Sequence, residues 1–245
     1  MRTGVFLDGQ NVTIGARYAF GGDGATHPVL LARELAALAG ARIASDADSP
    51  REAELVEVRY VTGIPDQTVD PERHNSQRRR HDLMVATDVV VLEKPLRYRW
   101  EWSIRDPSLD NPYEHQGETR TARVKSRNRG QEKGIDVWLA LDALAMCARA
   151  DLDRVILVTA DRDLDLVPDY LRMIGGAAAT EVVQARVLPE RQSLLQNPVY
   201  DLTLGIDRSM FELCRDEFDY SRALDEDEVA RFVQRIGAET DGLRD

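Results

Sequence analysis

Short apolar runs alternate with amphipathic stretches along most of the chain. Residues 3–7 (TGVFL) are apolar and stop at Asp8, followed by Gly9, which reads as a buried central strand. The same signature returns at 56–63 (VEVRYVTG), 88–95 (DVVVLEKP), 154–161 (RVILVTAD) and 181–188 (EVVQARVL). Helical spacing fills the intervals. A glycine-rich loop (Gly21, Gly22, Gly24) leads to 28–38 (PVLLARELAAL), with Pro28 suited to a first turn. Residues 70–86 predict a polar helix capped by Asp70, with Pro71 at its first position. Residues 133–150 predict a long apolar helix, and LDLVPDYLRMIGG a shorter one that glycines end.

Strands that alternate with helices imply βαβ units, and hence an α/β fold with a mostly parallel sheet flanked by helices. Residues 96–132 break this rhythm. LRYRWEWSI predicts an aromatic strand, RDPSLDNPYEHQGE a loop, and TRTARVKS a returning strand, so the stretch is expected to be an inserted hairpin or flap. From about residue 207 the chain turns acidic and helical. The expected organisation is one domain over 1–206, with its insertion at about 96–132, and a helical C-terminal extension over 207–245.

Charge sharpens this picture. The net charge is -11, which argues against a protein that coats nucleic acid nonspecifically. Residues 71–133 nevertheless carry +4, and within them Arg120, Arg123, Lys125, Arg127, Arg129 and Lys133 oppose only Glu132. An acidic chain with a local basic strip suits an enzyme that handles polyanions. Cys147 and Cys214 sit in helical contexts far apart, expected as buried thiols, and with the scattered histidines they offer no zinc spacing. No run of about 18 apolar residues predicts a membrane span, and the opening residues do not read as a secretory signal. A cytoplasmic protein without membrane contact is therefore expected.

In open parallel sheets, ligands bind beyond the carboxyl ends of the strands, where the strand order reverses. Asp8 ends the first strand, and Asp161 and Asp163 follow the fourth (VILVTADRD). Asp136 stands in the first turn of the long helix (KGIDVW). Singly each has a plainer reading: an Asp-Gly turn, a residue favoured by the helix dipole, or an N-cap. Jointly they are a carboxylate cluster. Carboxylates a few ångströms apart repel, and a divalent cation relieves the repulsion. Oxygen-only ligands select magnesium or manganese, either of which can activate water against a phosphodiester.

The three segments resemble the NYN domain family, the LabA-like branch of the PIN-like nucleases. FLDGQN supplies the family's strand-terminal Asp and following Asn (Asp8, Asn11). QEKGIDVW supplies its Lys-Gly-x-Asp (Lys133, Gly134, Asp136), and VTADRDL its Asp-x-Asp (Asp161, Asp163). The resemblance spans roughly residues 1–190. It implies a Rossmann-like PIN/NYN domain and magnesium- or manganese-dependent RNA cleavage. Asp8, Asp136, Asp161 and Asp163 would then be the catalytic metal site. Asn11 would orient the first carboxylate or touch substrate, and Lys133 would meet a phosphate. The chain has Thr-Ala where the family has Ser-Gly, and Leu164 where it has Phe; neither removes a ligand. Dimers are common among such proteins, so the resemblance also implies a homodimer.

The insertion interleaves Arg97, Tyr98, Arg99, Trp100 and Trp102, a pattern suited to single-stranded nucleic acid and equally to burial of one strand face. The strip containing Arg127 and Arg129 precedes Asp136 and is expected to contact phosphates. The expected partner is nucleic acid, single-stranded RNA in the first place. The competing reading is a non-catalytic RNA- or protein-binding module on the same fold. A dinucleotide enzyme would need GxGxxG after the first strand, which FLDGQNVTIG lacks.

Overall fold

The computed structural model describes residues 1–44, 53–105, 123–150, 152–174 and 180–241. The chain runs β1 (Arg2–Asp8), α1 (Gly9–Phe20), α2 (Pro28–Ala44), β2 (Glu54–Ile64), α3 (Pro71–Ala86) and β3 (Val89–Pro95). A hairpin of β4 (Arg97–Arg105) and β5 (Arg123–Gln131) follows. Then come α4 (Ile135–Ala150), β6 (Arg154–Val158), α5 (Val167–Ile174), β7 (Glu181–Val187), β8 (Leu202–Ile206), α6 (Arg208–Leu213) and α7 (Glu226–Asp241). Six strands form one parallel sheet in the order β3-β2-β1-β6-β7-β8. Both of its faces are buried, which is why these strands read as near-continuous apolar runs.

Alternation along each strand divides the core in two. Val5, Leu7, Val58, Ile156, Val158 and Val183 face one side, where α2 packs with Leu31, Leu35 and Ala39. Phe6, Val61, Val155, Leu157 and Val182 face the other, against α4 and α5. On α4 the buried stripe is Ile135, Leu139, Ala143 and Cys147, one residue every four. Both cysteines are buried and unpaired by disulfide.

Several expectations are met in detail. Asp70 caps α3 by accepting from the Arg73 N–H, with Pro71 in the first turn. The insertion is an antiparallel hairpin in a sheet of its own. The C-terminal extension is helical, and α7 docks through Phe232 and Ile236 beneath α2. The Phe232 ring meets His27 edge-on, with centroids 4.9 Å apart.

Two elements differ from the sequence reading. Residues 9–20, to which the sequence reading assigns no element, form α1, because the Asp8 carboxylate accepts from the Asn11 N–H and starts a helix. Gly9 is required there: a Cβ would lie 2.3 Å from the Tyr60 ring. The sheet also gains β8, a sixth strand. In addition, β6 ends at Val158, and residues 159–161 leave the sheet as a turn. Among the described residues no helix is long and apolar enough to cross a membrane.

Leu157 lies on central strand β6 and is fully buried. Leu157→Ala should cost about 2–5 kcal/mol in chemical denaturation, through lost transfer energy and a residual cavity. Leu166→Ala, at 70 % exposure, should cost under about 0.5 kcal/mol. Comparable losses from the two would contradict this placement of the core.

Candidate active site at the strand switch point

From β1 the chain builds outward through β2 to β3, then returns to the opposite side of β1 to build β6, β7 and β8. The order therefore reverses between β1 and β6, and a crevice opens above their carboxyl ends. Leu7 pairs with Val158, so Asp8 and residues 159–161 emerge side by side. Here lies a cavity of about 510 Å³, lined by Asp8, Gln10, Asn11, Glu132, Asp136 and Asp161 among others.

Each carboxylate has a distinct anchor. Asp8 is 8 % exposed, and its Oδ1 accepts from the Asn11 N–H at 3.0 Å. Asp161 accepts from the Asp163 N–H at 2.9 Å, and its own N–H donates to Thr159 Oγ1 at 3.1 Å. Asp136 stands in the first turn of α4, just after Gly134 at φ +72°. That left-handed conformation suits glycine and turns the chain from the hairpin into the helix. Asn11 ties the two strand ends together, because its Oδ1 accepts from the Ala160 N–H at 3.0 Å. Its side-chain oxygen is thus engaged in positioning the turn after β6.

Glu132 is a fourth carboxylate in the cavity, and nothing in the sequence singled it out. Its Oε1 accepts from the Gly63 N–H at 2.5 Å, which fastens the base of the hairpin to the end of β2. A Cβ at position 63 would sit 2.6 Å from Glu132 Cγ, so the approach needs glycine. In sequence Glu132 reads as the lone acid in a basic strip. Only the closure of the hairpin onto β2 brings it round to Asp8.

The electrostatics match this crowding. Burial pushes the Asp8 carboxyl up to about 6, and Asp161 and Asp136 add to the rise, against the N–H groups of Asn11 and Gln10. Burial likewise raises Glu132 to about 7, with Asp8 contributing, against the Gly63 N–H.

The other residues named from the sequence lie outside the cavity lining. Asp163 and Lys133 are both exposed. Arg127 and Arg129 lie on β5 opposite Glu101 and Arg99, with side chains outside the described residues. So are the side chains of Trp100 and Trp102. Tyr98 is half-buried, and its hydroxyl accepts from the Asp66 N–H at 3.0 Å, which ties that ring to the body of the domain.

A cation would find oxygen ligands only, which fits magnesium or manganese. Among the described residues no group of three or more His, Cys, Asp or Glu side chains is placed to hold a metal ion. An open arrangement is compatible with magnesium, which keeps several waters and binds through one or two carboxylates.

A carboxyl raised on folding binds its proton more tightly in the native state, so its contribution is complete below about pH 4 and lost as pH rises through the folded value. Asp8→Asn keeps an N-cap oxygen and removes the charge. In EDTA, Asp8→Asn should therefore become more stable than the native chain as pH rises from about 4 to 7, by on the order of 1–3 kcal/mol. Parallel denaturation curves at pH 4, 6 and 8 measure the difference. A gap that is constant with pH would mean that burial and the neighbouring carboxylates do not raise the Asp8 carboxyl.

The sequence profile of the NYN domain family matches residues 2–186. No curated protein matches the chain. Among solved structures, a Vibrio parahaemolyticus protein of unknown function is similar over 84 % of this chain and 93 % of its own, at 20 % identity and a TM-score of 0.46. The profile covers β1 to β7 and every carboxylate of the cavity, and the chain belongs to the NYN domain family.

Proposed function

We propose that this chain is a divalent-cation-dependent nuclease whose substrate is RNA. The observation that carries the reading is the convergence of Asp8, Asp136 and Asp161 in one cavity at the switch point, close enough for Asp136 and Asp161 to raise the Asp8 carboxyl. A carboxyl raised by burial and by like charges in a cleft marks a candidate functional site. Membership of a family usually associated with nuclease activity supports the same reading.

One or two of Asp8, Asp136 and Asp161 would hold the cation, magnesium or manganese, with water completing its shell. When bound, it would polarise a phosphodiester, lower the pKa of a coordinated water and neutralise charge on the leaving oxygen. The remaining work falls to the chain. Asn11 fixes the turn after β6 against α1, which sets the spacing between Asp8 and Asp161. The Gly63 N–H holds the Glu132 carboxyl beside Asp8, where it adds to the negative field. Asp163 contributes through its N–H, which orients the Asp161 carboxylate. Its exposed side chain stands outside the cation site.

Cleavage of end-labelled single-stranded RNA in manganese or magnesium tests the proposal. The native chain should cut, EDTA should abolish cutting, and Asp161→Asn should reduce it more than about a hundredfold. Manganese should raise the melting temperature of the native chain and leave that of Asp161→Asn unchanged, because only a ligand that binds the native state stabilises it. RNA binding without cutting in any divalent cation would instead mark a non-catalytic binding module.

A further inference from the structure

A second cavity opens beside the acidic one, and Gln10, Ile14 and Glu132 line both. Beyond this shared wall the lining changes sign. Arg17 from α1 and Arg73 and Arg80 from α3 join the lining, with Asp23 as the one aspartate, together with Tyr60 and Gln77. The space is about 350 Å³, at the lower end of the range for small-ligand sites and about the size of one nucleotide.

The three guanidinium groups are committed to different degrees. Arg80 is fixed: its Nε donates to Asp216 at 3.1 Å, its Nη2 to the Thr26 carbonyl at 2.9 Å, and it lies over the Tyr60 ring. Arg17 donates to a single carbonyl, that of Asp23, at 3.2 Å, and no carboxylate pairs with it among the described residues. Arg73 has one ion pair among the described residues, with Asp70 at 3.5 Å, and is 70 % exposed. Such an exposed pair contributes little and is easily exchanged for another anion. Gln77 adds a different demand, because its Oε1 is buried and has no hydrogen-bond partner. A buried acceptor in that state is stabilised by any ligand that brings a donor.

The two cavities form one polar track, with carboxylates alone at one end and three guanidinium groups beside Asp23 and Glu132 at the other. A polyanion fits it in one way: the phosphate at the acidic end needs a cation between, and the neighbouring phosphate meets Arg17 and Arg73 directly. A duplex is too wide to enter a space of nucleotide size, whereas a single strand can turn one unit into it. We infer that the second cavity is the subsite for the nucleotide adjoining the cleaved phosphate of a single-stranded RNA. Arg17 and Arg73 are its phosphate contacts, and Gln77 Oε1 accepts from an N–H of the base. This assignment rests on the nuclease reading of the acidic cavity. It moves the main phosphate contacts from the basic strip of the hairpin to α1 and α3.

The test is fluorescence anisotropy with a labelled oligouridylate of about 12 nucleotides, a length within the usual range of single-strand sites, in EDTA at low salt. Arg17→Ala/Arg73→Ala should weaken binding about tenfold or more and lower the salt slope by about 1–1.5, the loss of two single-strand phosphate contacts. Gln77→Leu should weaken binding with the salt slope unchanged. The manganese-induced shift in melting temperature should be the same in the double variant as in the native chain, which separates loss of the subsite from loss of the fold or of the cation site. No binding by the native chain, unchanged affinity in the double variant, or affinity lost only in Arg127→Ala/Arg129→Ala would overturn the assignment. Cutting that survives Asp161→Asn would instead overturn the nuclease reading, whatever the oligouridylate measurement gives.

Discussion

Carboxylates gathered in a half-buried cleft repel, and everything distinctive about this chain follows from its having gathered them. A parallel sheet with both faces covered leaves the ends of its strands as the place for polar chemistry. The order β3-β2-β1-β6-β7-β8 puts the ends of β1 and β6 next to each other at the reversal. Asp8 and Asp161 stand at those two ends, and α4 delivers Asp136 from the side. The hairpin closes onto β2 and brings Glu132 to the same place. Burial first, and the neighbouring carboxylates after it, hold Asp8 and Glu132 protonated well above the usual carboxylate range.

The hydrogen bonds around the cluster have a common purpose. Asp8 caps α1 while facing the cavity, so one carboxylate both starts the helix and serves the site. Asn11 follows in the same turn and reaches across to the Ala160 N–H. The Asp163 N–H orients Asp161. These are backbone donors aimed at, or near, acidic side chains, and they hold the carboxylates in register while opposing their mutual repulsion. The cationic wall of Arg17, Arg73 and Arg80 lies one helix face away, so charge of both signs lines a continuous surface.

Asp8, Asp136 and Asp161 were legible in the sequence because each follows an abrupt change of pattern, an apolar strand that stops or a helix that begins. The cap of α3 was legible for the same reason, since Asp70 and Pro71 are adjacent and local. Glu132 was not, because its role depends on a contact with Gly63 across 69 positions of sequence. Helix α1 was hidden by Gly9 and Gly15, which lower helix propensity, and by a buried stripe of only Gly9, Val12 and Ala16. Strand β8 is five residues with a glycine inside, too short to stand out from the loop before it. Arg17 lay in the unrecognised helix, and Arg73 on a helix that read only as polar. The cationic cavity was therefore illegible until α1 and α3 were set side by side.

If the acidic cluster holds a cation as proposed, protons leave Asp8 and Glu132 as it binds. Calorimetric titration of the native chain with manganese at pH 6.5, in buffers of different ionisation enthalpy, measures the proton count directly. Binding with a net release of protons is the expected result, since carboxylates at or beside a bound cation must ionise. No binding, or binding whose heat is the same in every buffer, would contradict it.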